Sequence, residues 1–244
     1  MKKILLYSNG MDSWLISKLW KPDVKLYVVM DTRYTKNELD KIYNLPVSEQ
    51  KNLKVVTFPL GQYEREDAII PLRNMYLVMV ACNEYPGEDL EICLGATAGD
   101  RVLDKSPEFV EKANDLLNYL YQPQHWIPSG RKVKVCIDFK SKTKTQLLKM
   151  YLEQGGDIGE AFGQSFSCYN PDENGNECWQ CKPCFRKFIA FYLNGFTFLP
   201  EDEKKVHDYI AKEIMPQIEA GTYGRAEEEL EIKKFMEDYE SKKV

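Results

Sequence analysis

The chain has 244 residues, of which 43% are hydrophobic and 29% are charged, and this composition excludes a protein that is disordered over its whole length. At about 150 residues per domain, the length predicts one large domain or one domain with an appendage. The 33 basic and 38 acidic residues give a net charge of −5, which argues against nucleic-acid binding through bulk positive charge.

Short apolar runs alternate with helical apolar periodicities along most of the chain. Strands are predicted at 4–7, 26–30, 53–58, 90–94 and 133–137. Between and after them, helices are predicted through 14–19, at 37–45, at 73–85, from Pro107 onward and at 143–154. Pro22 stops the first helix, and Ser106 caps the helix that Pro107 opens. Five strands separated by helices predict an α/β fold, with a mainly parallel five-stranded sheet and helices on both faces. Such sheets bind ligands at the carboxyl ends of their strands.

The last part of the chain differs from the rest in pattern and charge. After Gly156 the periodicity gives way to a predicted polar, cysteine-bearing loop region, and beyond Pro200 two polar helices are predicted at 201–220 and 225–241, the first kinked or shortened by Pro216. Residues 1–200 hold 25 basic and 25 acidic residues, whereas residues 201–244 hold 8 and 13. We therefore expect a neutral main domain, 1–200, and an acidic helical C-terminal extension, 201–244, that serves as a solvated packing or assembly element.

The seven cysteines do not resemble the disulfide framework of a small secreted protein, because their number is odd and four lie within 17 residues. The apolar run at 4–7 is too short for the core of a signal peptide, and no apolar stretch reaches the length of about 18 residues that spans a bilayer. We expect a cytoplasmic protein with no membrane partner. Cys82, Cys93 and Cys136 lie in apolar patterns and are predicted core residues.

The other four cysteines, Cys168, Cys178, Cys181 and Cys184, form the motif C-x9-C-x2-C-x2-C at 168–184. Thiolates two residues apart can wrap one tetrahedral ion, and a fourth thiolate from a neighbouring loop completes its shell. The motif therefore predicts a structural Zn²⁺ with no open position for catalysis. An iron–sulfur cluster is the competing interpretation, because four thiolates also serve it.

The segment between the first strand and the first helix can cradle a phosphate. It consists of Tyr7, Ser8, Asn9, Gly10, Met11, Asp12 and Ser13, called the first loop below. Successive backbone N–H groups of such a turn can point at one anion, and the helix N-terminus adds its dipole. Ser8 and Ser13 can donate hydroxyls to phosphate, and Asp12 can hold Mg²⁺ or orient the loop. The alternative is an ordinary junction in which Asp12 or Ser13 caps the helix.

The sequence of this loop, S-N-G-M-D-S, resembles the S-G-G-x-D-S loop of the N-type ATP pyrophosphatases, the PP-loop superfamily. The resemblance implies an adenine nucleotide alpha hydrolase-like, Rossmann-like fold in which the loop grips the pyrophosphate of ATP. Asn9 stands in place of the first glycine. Because Asn tolerates a left-handed backbone better than most residues, we expect the turn to form.

Further motifs resemble the 7-cyano-7-deazaguanine synthase family of the queuosine and archaeosine precursor pathway. Residues 167–170, followed by the three later cysteines, look like the C-terminal zinc motif of that family. Residues 70–74 match its v-P-G-R-N with Leu72 in place of glycine, and residues 94–109 resemble its t-G-x-x…D…y-P-D-C-r-x-x-F region. Lys142 aligns with the lysine of its N-K-x-E, whose glutamate is absent here. The resemblance covers residues 3–195 and leaves the tail outside.

The resemblance implies an ATP-dependent C–N ligase. Members of this family convert 7-carboxy-7-deazaguanine, ammonium and ATP to the nitrile 7-cyano-7-deazaguanine. The carboxylate is adenylated with release of pyrophosphate, ammonia displaces AMP to give the amide, and a second ATP activates the amide oxygen. Such catalysis requires mainly positioning and charge neutralisation around phosphates. The implied cofactors are ATP, Mg²⁺ and Zn²⁺.

The resemblance also assigns roles to residues. The catalytic residues are Asp12, Ser13, Arg73 and Lys142, and the nucleotide-binding residues are those of the first loop together with Met30, Asp31, Asn74 and Gly95. Arg73 and Asn74 would contact ATP phosphate or the deazapurine, and Lys142 would offset charge on the α-phosphate. For Arg73 the alternative is a surface helix charge. For Lys142 it is a solvated basic face that comprises Arg131, Lys132, Lys134, Lys140, Lys144 and Lys149.

Rival functions remain open. A divergent member of the family could stop at the amide, or could join the deazapurine acid to an amine on a macromolecule such as DNA or protein. A tRNA-modifying adenylating enzyme would need catalytic cysteines outside the zinc motif. A zinc-ribbon nucleic-acid-binding protein would rely on the basic cluster, and the neutral main domain disfavours nucleic acid as a partner. A homodimer is implied by the resemblance alone.

Overall fold

The fold is built on a five-stranded parallel sheet in the structure, a computed structural model that describes residues 1–242. The strands are β1 (Lys2–Leu6), β2 (Val24–Val29), β3 (Leu53–Thr57), β4 (Leu90–Cys93) and β5 (Val133–Cys136). They pair in the order β3-β2-β1-β4-β5, and every pair is parallel. The predicted α/β fold is confirmed. The strand order reverses between β1 and β4, and folds of this kind bind ligands beside the carboxyl ends at such a point.

The chain divides into two compact units. The sheet unit comprises Met1–Asn9, Ile16–Ala96 and Arg101–Asp138. The cysteine unit comprises Gly10–Leu15, Thr97–Asp100 and the described residues from Phe139 onward. The first loop therefore contributes residues 7–9 to the sheet unit and residues 10–13 to the cysteine unit.

Helices cover both faces of the sheet. They are α1 (Met11–Trp20), which begins in the cysteine unit, α2 (Thr35–Tyr43), α3 (Val47–Gln50), α4 (Arg73–Glu84) and α5 (Pro107–Leu120). Successive side chains of a strand point to opposite faces, and β2 shows this directly. Leu26 enters an apolar core with Val78 of α4 and Leu117 of α5. Its neighbour Lys25 is buried on the other face, where it lies 3.0 Å from the carboxylate of Glu49 of α3.

The cysteine unit is helical. Besides the start of α1 it contains α6 (Lys144–Glu153), α7 (Ile158–Gln164), α8 (Lys182–Leu193), α9 (Pro200–Tyr209), α10 (Met215–Glu219) and α11 (Ala226–Ser241). The prediction of a cysteine-bearing loop region after Gly156 is confirmed for residues 165–181, but it was wrong on either side of them, where α7 and α8 lie. Asp157 caps α7 by accepting a hydrogen bond from the Glu160 N–H at 2.6 Å. No helix among residues 1–242 has the length and apolarity to cross a membrane.

The tail forms the two predicted helices, the first in two pieces. Between α9 and α10 the residues Ile210–Ile214 form a π-helical turn, and Pro216 lies in the first turn of α10, so the predicted interruption at this proline is confirmed. The tail packs on α8. The ring of Phe235 meets those of Phe188 and Tyr192 edge to face, at centroid distances of 5.5 and 5.0 Å.

Five residues other than glycine have a left-handed backbone in the sheet unit, and three of these belong to or adjoin candidate site residues. These three lie at Asn9 after β1 (φ 57°), at Asp31 after β2 (φ 59°) and at Leu72 before α4 (φ 61°). Asn and Asp tolerate this conformation, whereas the Cβ of Leu clashes in it. Leu72 is 65% exposed, so burial of its side chain offsets little of that strain.

We expect Leu72→Gly to have a free energy of unfolding about 1 kcal/mol higher than Leu72→Ala, because glycine adopts a left-handed backbone without the Cβ clash. Urea denaturation of the two variants measures the difference. The control is the same pair of substitutions at Leu230, an exposed position inside α11, where alanine should be the more stable variant. Equal stability of the two variants at position 72 would contradict the assigned strain.

Candidate active site and metal centre

The first loop adopts a tight turn after β1. Asn9 is 3% exposed, and its Oδ1 accepts a hydrogen bond from the hydroxyl of Tyr7 at 2.7 Å. Burial raises the pKa of Tyr7, so its hydroxyl remains a donor at neutral pH. The side chain of Asn9, which stands in place of the first glycine of S-G-G-x-D-S, is therefore buried and stabilises the turn. Ser8, next to it, is exposed.

The helix α1 begins directly after this turn. Asp12 and Ser13 lie inside its first turn, so neither is the N-cap residue, and Ser13 Oγ donates to the carbonyl of Gly10 at 3.1 Å. The Met11 N–H donates to Ser167 Oγ at 3.3 Å. Because Ser167 precedes the first cysteine of the motif, this hydrogen bond joins the first loop to the cysteine motif within the cysteine unit.

Asp12 forms an ion pair that the sequence did not predict. Its Oδ1 lies 2.5 Å from Nζ of Lys144, and both side chains are largely buried. Lys144 is the first residue of α6, and Thr143 caps that helix in a capping box with Gln146. The two charges are 132 positions apart, so no local pattern could have linked them. Lys144 also occupies the position at which the motif N-K-x-E carries its glutamate.

Lys142 is half-buried and lies two residues before Lys144. Its carbonyl accepts a hydrogen bond from the Ala98 N–H at 2.8 Å. Lys140 donates to the carbonyls of Thr97 at 3.2 Å and Asp100 at 2.6 Å. These bonds hold the segment Thr97–Asp100 against the segment that carries Lys140 and Lys142.

Arg73 and Asn74 open α4 in the sheet unit. The Asn74 N–H donates to Asp104 Oδ2 at 3.0 Å, whereas its buried side-chain Nδ2 has no hydrogen-bond partner among residues 1–242. A buried donor without a partner costs about 1–3 kcal/mol, so this amide is a position that a ligand could satisfy. Burial raises the pKa of Glu38, and the charge of Arg73 offsets part of that rise.

Met30 and Asp31 follow β2, and Gly95 follows β4. The Gly61 N–H donates to the carbonyl of Met30 at 2.7 Å. A Cβ on Gly61 would lie 1.8 Å from the carbonyl oxygen of Asp31, so only glycine fits beside this strand end. The exposed side chain of Asp31 is left at the carboxyl edge of the sheet.

The four sulfurs of the motif converge. The Sγ atoms of Cys168, Cys178, Cys181 and Cys184 all lie within 4.8 Å of one another, and those of Cys178 and Cys184 are 4.0 Å apart. A tetrahedral Zn²⁺ with Zn–S distances of about 2.3 Å needs sulfurs about 3.8 Å apart, so the cluster can hold such an ion with small movements. An iron–sulfur cluster binds its thiolates on separate iron atoms, which would require a wider set.

Hydrogen bonds around the sulfurs favour the thiolate form that a metal needs. The N–H groups of Asn170 and Cys178 donate to Cys168 Sγ at 3.2 and 3.3 Å. Hydrogen bonds from Cys168 and Cys184 lower the pKa of Cys181 to about 4, whereas burial raises the pKa of Cys178 and hydrogen bonding to Cys168 and Cys181 raises that of Cys184. The convergence of the four sulfurs is the feature that suits a cation.

A buried ion pair supports the loop that carries the motif. Lys187 of α8 lies 2.8 Å from Glu177 Oε2 and donates to the carbonyl of Ser165 at 2.6 Å. Glu177 Oε1 accepts from the Ser167 N–H at 2.6 Å. Because Ser167 also receives the Met11 N–H, a continuous series of polar contacts runs from α8 to the first loop.

The three remaining cysteines, Cys82, Cys93 and Cys136, are buried as predicted. The hypothesis of a solvated basic face is wrong for three of its members: Arg131 donates to the carbonyls of Cys82 and Tyr85, Lys140 donates to the carbonyls given above, and Lys144 pairs with Asp12. Lys132, Lys134 and Lys149 are exposed. The first observation argues against a thiolating enzyme with an exposed cysteine, and the second argues against binding of RNA by this cluster.

Relatives of known name extend over most of the chain. A 7-cyano-7-deazaguanine synthase of Alteromonas mediterranea is 28% identical over 221 residues, which cover 80% of this chain and 95% of the relative. The 7-cyano-7-deazaguanine synthase 1 of Colwellia psychrerythraea is 26% identical over 223 residues, 80% of this chain and 96% of the relative. The 7-cyano-7-deazaguanine synthase of Rickettsia africae is 24% identical over 226 residues, which cover 80% of this chain and 95% of the relative. No solved structure matches.

A family model matches residues 47–195, which include the start of α4, the segment of Lys142 and Lys144, and all four cysteines of the motif. The first loop and the tail lie outside this span. Because the match covers more than half of its length, the chain belongs to the family of the queuosine biosynthesis protein QueC.

Proposed function

We propose that this chain is an ATP-dependent synthase that adenylates 7-carboxy-7-deazaguanine and uses ammonia to form the amide and then the nitrile 7-cyano-7-deazaguanine. The observation that carries the proposal is the bond from the Met11 N–H to Ser167 Oγ, at 3.3 Å. It joins the phosphate-cradle loop to the cysteine motif in one unit, and these are the two most specific features of the sequence. Membership of the family and the names of the relatives support the proposal.

The chemical character of the first loop suits a polyphosphate with its metal ion. Gly10 to Ser13 lie at the positive end of the α1 dipole, where an anion is favoured. Asp12 offers the carboxylate oxygen that Mg²⁺ prefers, and the ammonium of Lys144 lies beside it. When bound, MgATP supplies the activated phosphorus and the pyrophosphate leaving group. Asp12 would then share its charge between Lys144 and the ion, and Lys142 would approach the α-phosphate.

The family resemblance assigns further substrate contacts to residues of the sheet unit, each considered by itself. Met30 and Asp31, at the end of β2, would contact adenine or ribose, and Gly95 would let the nucleotide approach the end of β4. Arg73 and Asn74 would contact phosphate or the deazapurine. The buried, unpartnered Nδ2 of Asn74 supports this role, because a bound carbonyl or phosphate oxygen would remove the cost of leaving it unpaired.

The proposed chemistry proceeds in two rounds. A carboxylate oxygen attacks the α-phosphorus of ATP, the bond to the bridging oxygen breaks, and pyrophosphate leaves. Ammonia attacks the acyl carbon, AMP leaves, and a proton passes to solvent, which gives the amide. The amide oxygen then attacks a second α-phosphorus with loss of pyrophosphate, and departure of AMP and of both protons from nitrogen to solvent leaves the nitrile. The protein binds, orients and neutralises charge throughout.

We also infer the setting of this activity. A structural Zn²⁺ held by the four cysteines would fix the loop of Ser167 and take no part in the chemistry. Residues 1–200 would be the ATP pyrophosphatase domain, and residues 201–244, of which the last two lie outside the described residues, would be its acidic extension. A homodimer in the cytoplasm, with no nucleic-acid partner, is the remaining part of the proposal.

Incubation of the purified chain with 7-carboxy-7-deazaguanine, ammonium and MgATP should give the nitrile mass, with two AMP and two pyrophosphate formed per nitrile. Mass spectrometry and a coupled pyrophosphate assay measure both. Omission of ammonium should abolish the nitrile. Accumulation of the amide alone would replace the proposal with the divergent amide-forming function, and absence of any acid-dependent pyrophosphate would refute it.

Asp12→Asn should reduce pyrophosphate release by about 100-fold or more, because it removes the charge that holds Mg²⁺ and Lys144. The matched control is Asp115→Asn, an exposed position on α5, which should keep the wild-type rate. Thermal unfolding of both variants checks that each is folded. A folded Asp12→Asn protein with the control's rate would exclude Asp12 from the site.

The purified chain should contain one zinc per molecule, and Cys181→Ser should lose it and unfold at a lower temperature, since a structural zinc contributes to the folding free energy. Elemental analysis and thermal unfolding measure the two effects. Cys82→Ala also removes a buried cysteine, but it should retain the zinc. Iron in the wild-type protein, or full zinc in the Cys181→Ser protein, would contradict the assigned site.

A further inference from the structure

We propose that the C-terminal helix α11 is part of the nucleotide site of this chain, and that Glu231 is a positioning residue for Lys144. The inference rests on the proposed function and extends it to a segment beyond residues 47–195, the span of the family match. Glu231 belongs to the acidic tail that accounts for the net charge of the chain.

Glu231 holds the residues on both sides of Lys144. The hydroxyl of Thr143 donates to Glu231 Oε1 at 2.6 Å, and the hydroxyl of Thr145 donates to Oε2 at 2.7 Å. Thr143 Oγ1 also accepts from the Gln146 N–H at 3.2 Å, which is the cap of α6. Both oxygens of one carboxylate are thus used to fix the turn from which Lys144 projects.

Lys144 needs this support because it is the first residue of α6. A cation in the first turn faces the positive end of the helix dipole, which disfavours it. The carboxylate of Asp12 compensates, at 2.5 Å from the ammonium, and Glu231 lines the same small cleft as Lys144. Without Glu231 the threonines beside Lys144 would lose their acceptor, and the ammonium would be held less firmly at Asp12. Asp12 is the group that the proposed mechanism assigns to Mg²⁺.

A second carboxylate fixes the position of α11. Glu228 is buried and accepts hydrogen bonds from the hydroxyl of Tyr223 at 2.9 Å and from Arg225 Nη1 at 3.1 Å. Nε of Arg186 in α8 lies 3.0 Å from Oε2, the oxygen that also accepts from Tyr223. Since residues three apart on a helix lie on the same face, this anchor directs Glu231 toward the start of α6.

The same part of the tail meets the segment Thr97–Asp100. A Cβ on Gly99 would lie 3.0 Å from Arg225 Nη1 and 3.1 Å from Glu228 Oε1, so this glycine permits the close approach. The Ala98 N–H in turn donates to the carbonyl of Lys142 at 2.8 Å. The tail therefore contacts both segments that hold the two lysines, Lys142 and Lys144.

A double-mutant cycle on the full-length chain tests the proposal. Glu231→Ala, Lys144→Met and the double variant are compared for the MgATP dissociation constant by calorimetry and for kcat and KM in pyrophosphate release. Glu231→Ala should weaken MgATP binding about fivefold and lower kcat about tenfold, and the double variant should be no worse than Lys144→Met, because residues acting through one another are not additive. The control is Glu237→Ala, exposed on the same helix, with wild-type values.

Two further variants keep the test decisive if Glu231→Ala fails to fold. Glu231→Gln retains an acceptor oxygen and should stay within about threefold of wild type, and Thr145→Val should lose about threefold through one missing bond. Additive effects in the cycle, or a folded Glu231→Ala protein with the control's MgATP affinity and kcat, would overturn the proposal. If the wild type binds MgATP but makes no nitrile, the proposed function fails, and the MgATP dissociation constants of the four proteins still test the role of Glu231. A wild type that does not bind MgATP would overturn both.

Discussion

Where β1 ends, the backbone of Asn9 turns left-handed, and the candidate site depends on that conformation. The turn lets α1 begin two residues later, which presents the Met11 N–H to Ser167 and places Asp12 in the first helical turn beside Lys144. A residue with a branched or bulky Cβ would strain this conformation. Asn9 adopts it and uses its side chain to accept the Tyr7 hydroxyl, so a residue other than glycine both permits and stabilises the turn.

Several expectations from the sequence were confirmed, and each has a simple physical reason. The strands were predictable because strands of a parallel sheet covered on both faces are continuous apolar runs. The start of α5 was predictable because its cap is local, and Ser106 Oγ does accept from the Phe109 N–H at 3.1 Å. The cysteine cluster was predictable because three of its ligands lie within seven consecutive residues. In each case the controlling interaction is local or depends only on burial.

Features that depend on distant contacts could not be predicted in this way. Asp12 and Lys144 form an ion pair although they are remote in sequence. Taken alone, each is a charged residue of a kind that usually lies on the surface. The basic residues between 131 and 149 were one candidate solvated face, yet Arg131, Lys140 and Lys144 bond to carbonyls or a carboxylate supplied by other segments. By contrast, α8 was missed although Phe185 and Phe188 have helical spacing, because the cysteines beside them drew the interpretation toward a loop.

The net negative charge of the acidic tail does not reveal which of its carboxylates are exposed and which are directed inward. Two of its carboxylates, those of Glu228 and Glu231, are turned inward and accept hydrogen bonds. Burial raises the pKa of Glu231, and the hydroxyls of Thr143 and Thr145 offset part of that rise. Because the pKa is higher in the folded than in the unfolded chain, the free energy of unfolding falls as pH rises from about 4.5 through the folded value, and above that window the ionised carboxylate lowers stability. A neutral glutamine would avoid this cost and still accept from a hydroxyl, so the hydrogen bonds to the two threonines matter more at position 231 than the charge. Both oxygens of this carboxylate accept from the threonines on either side of Lys144, so Glu231 acts on the ammonium through the position of the first turn of α6.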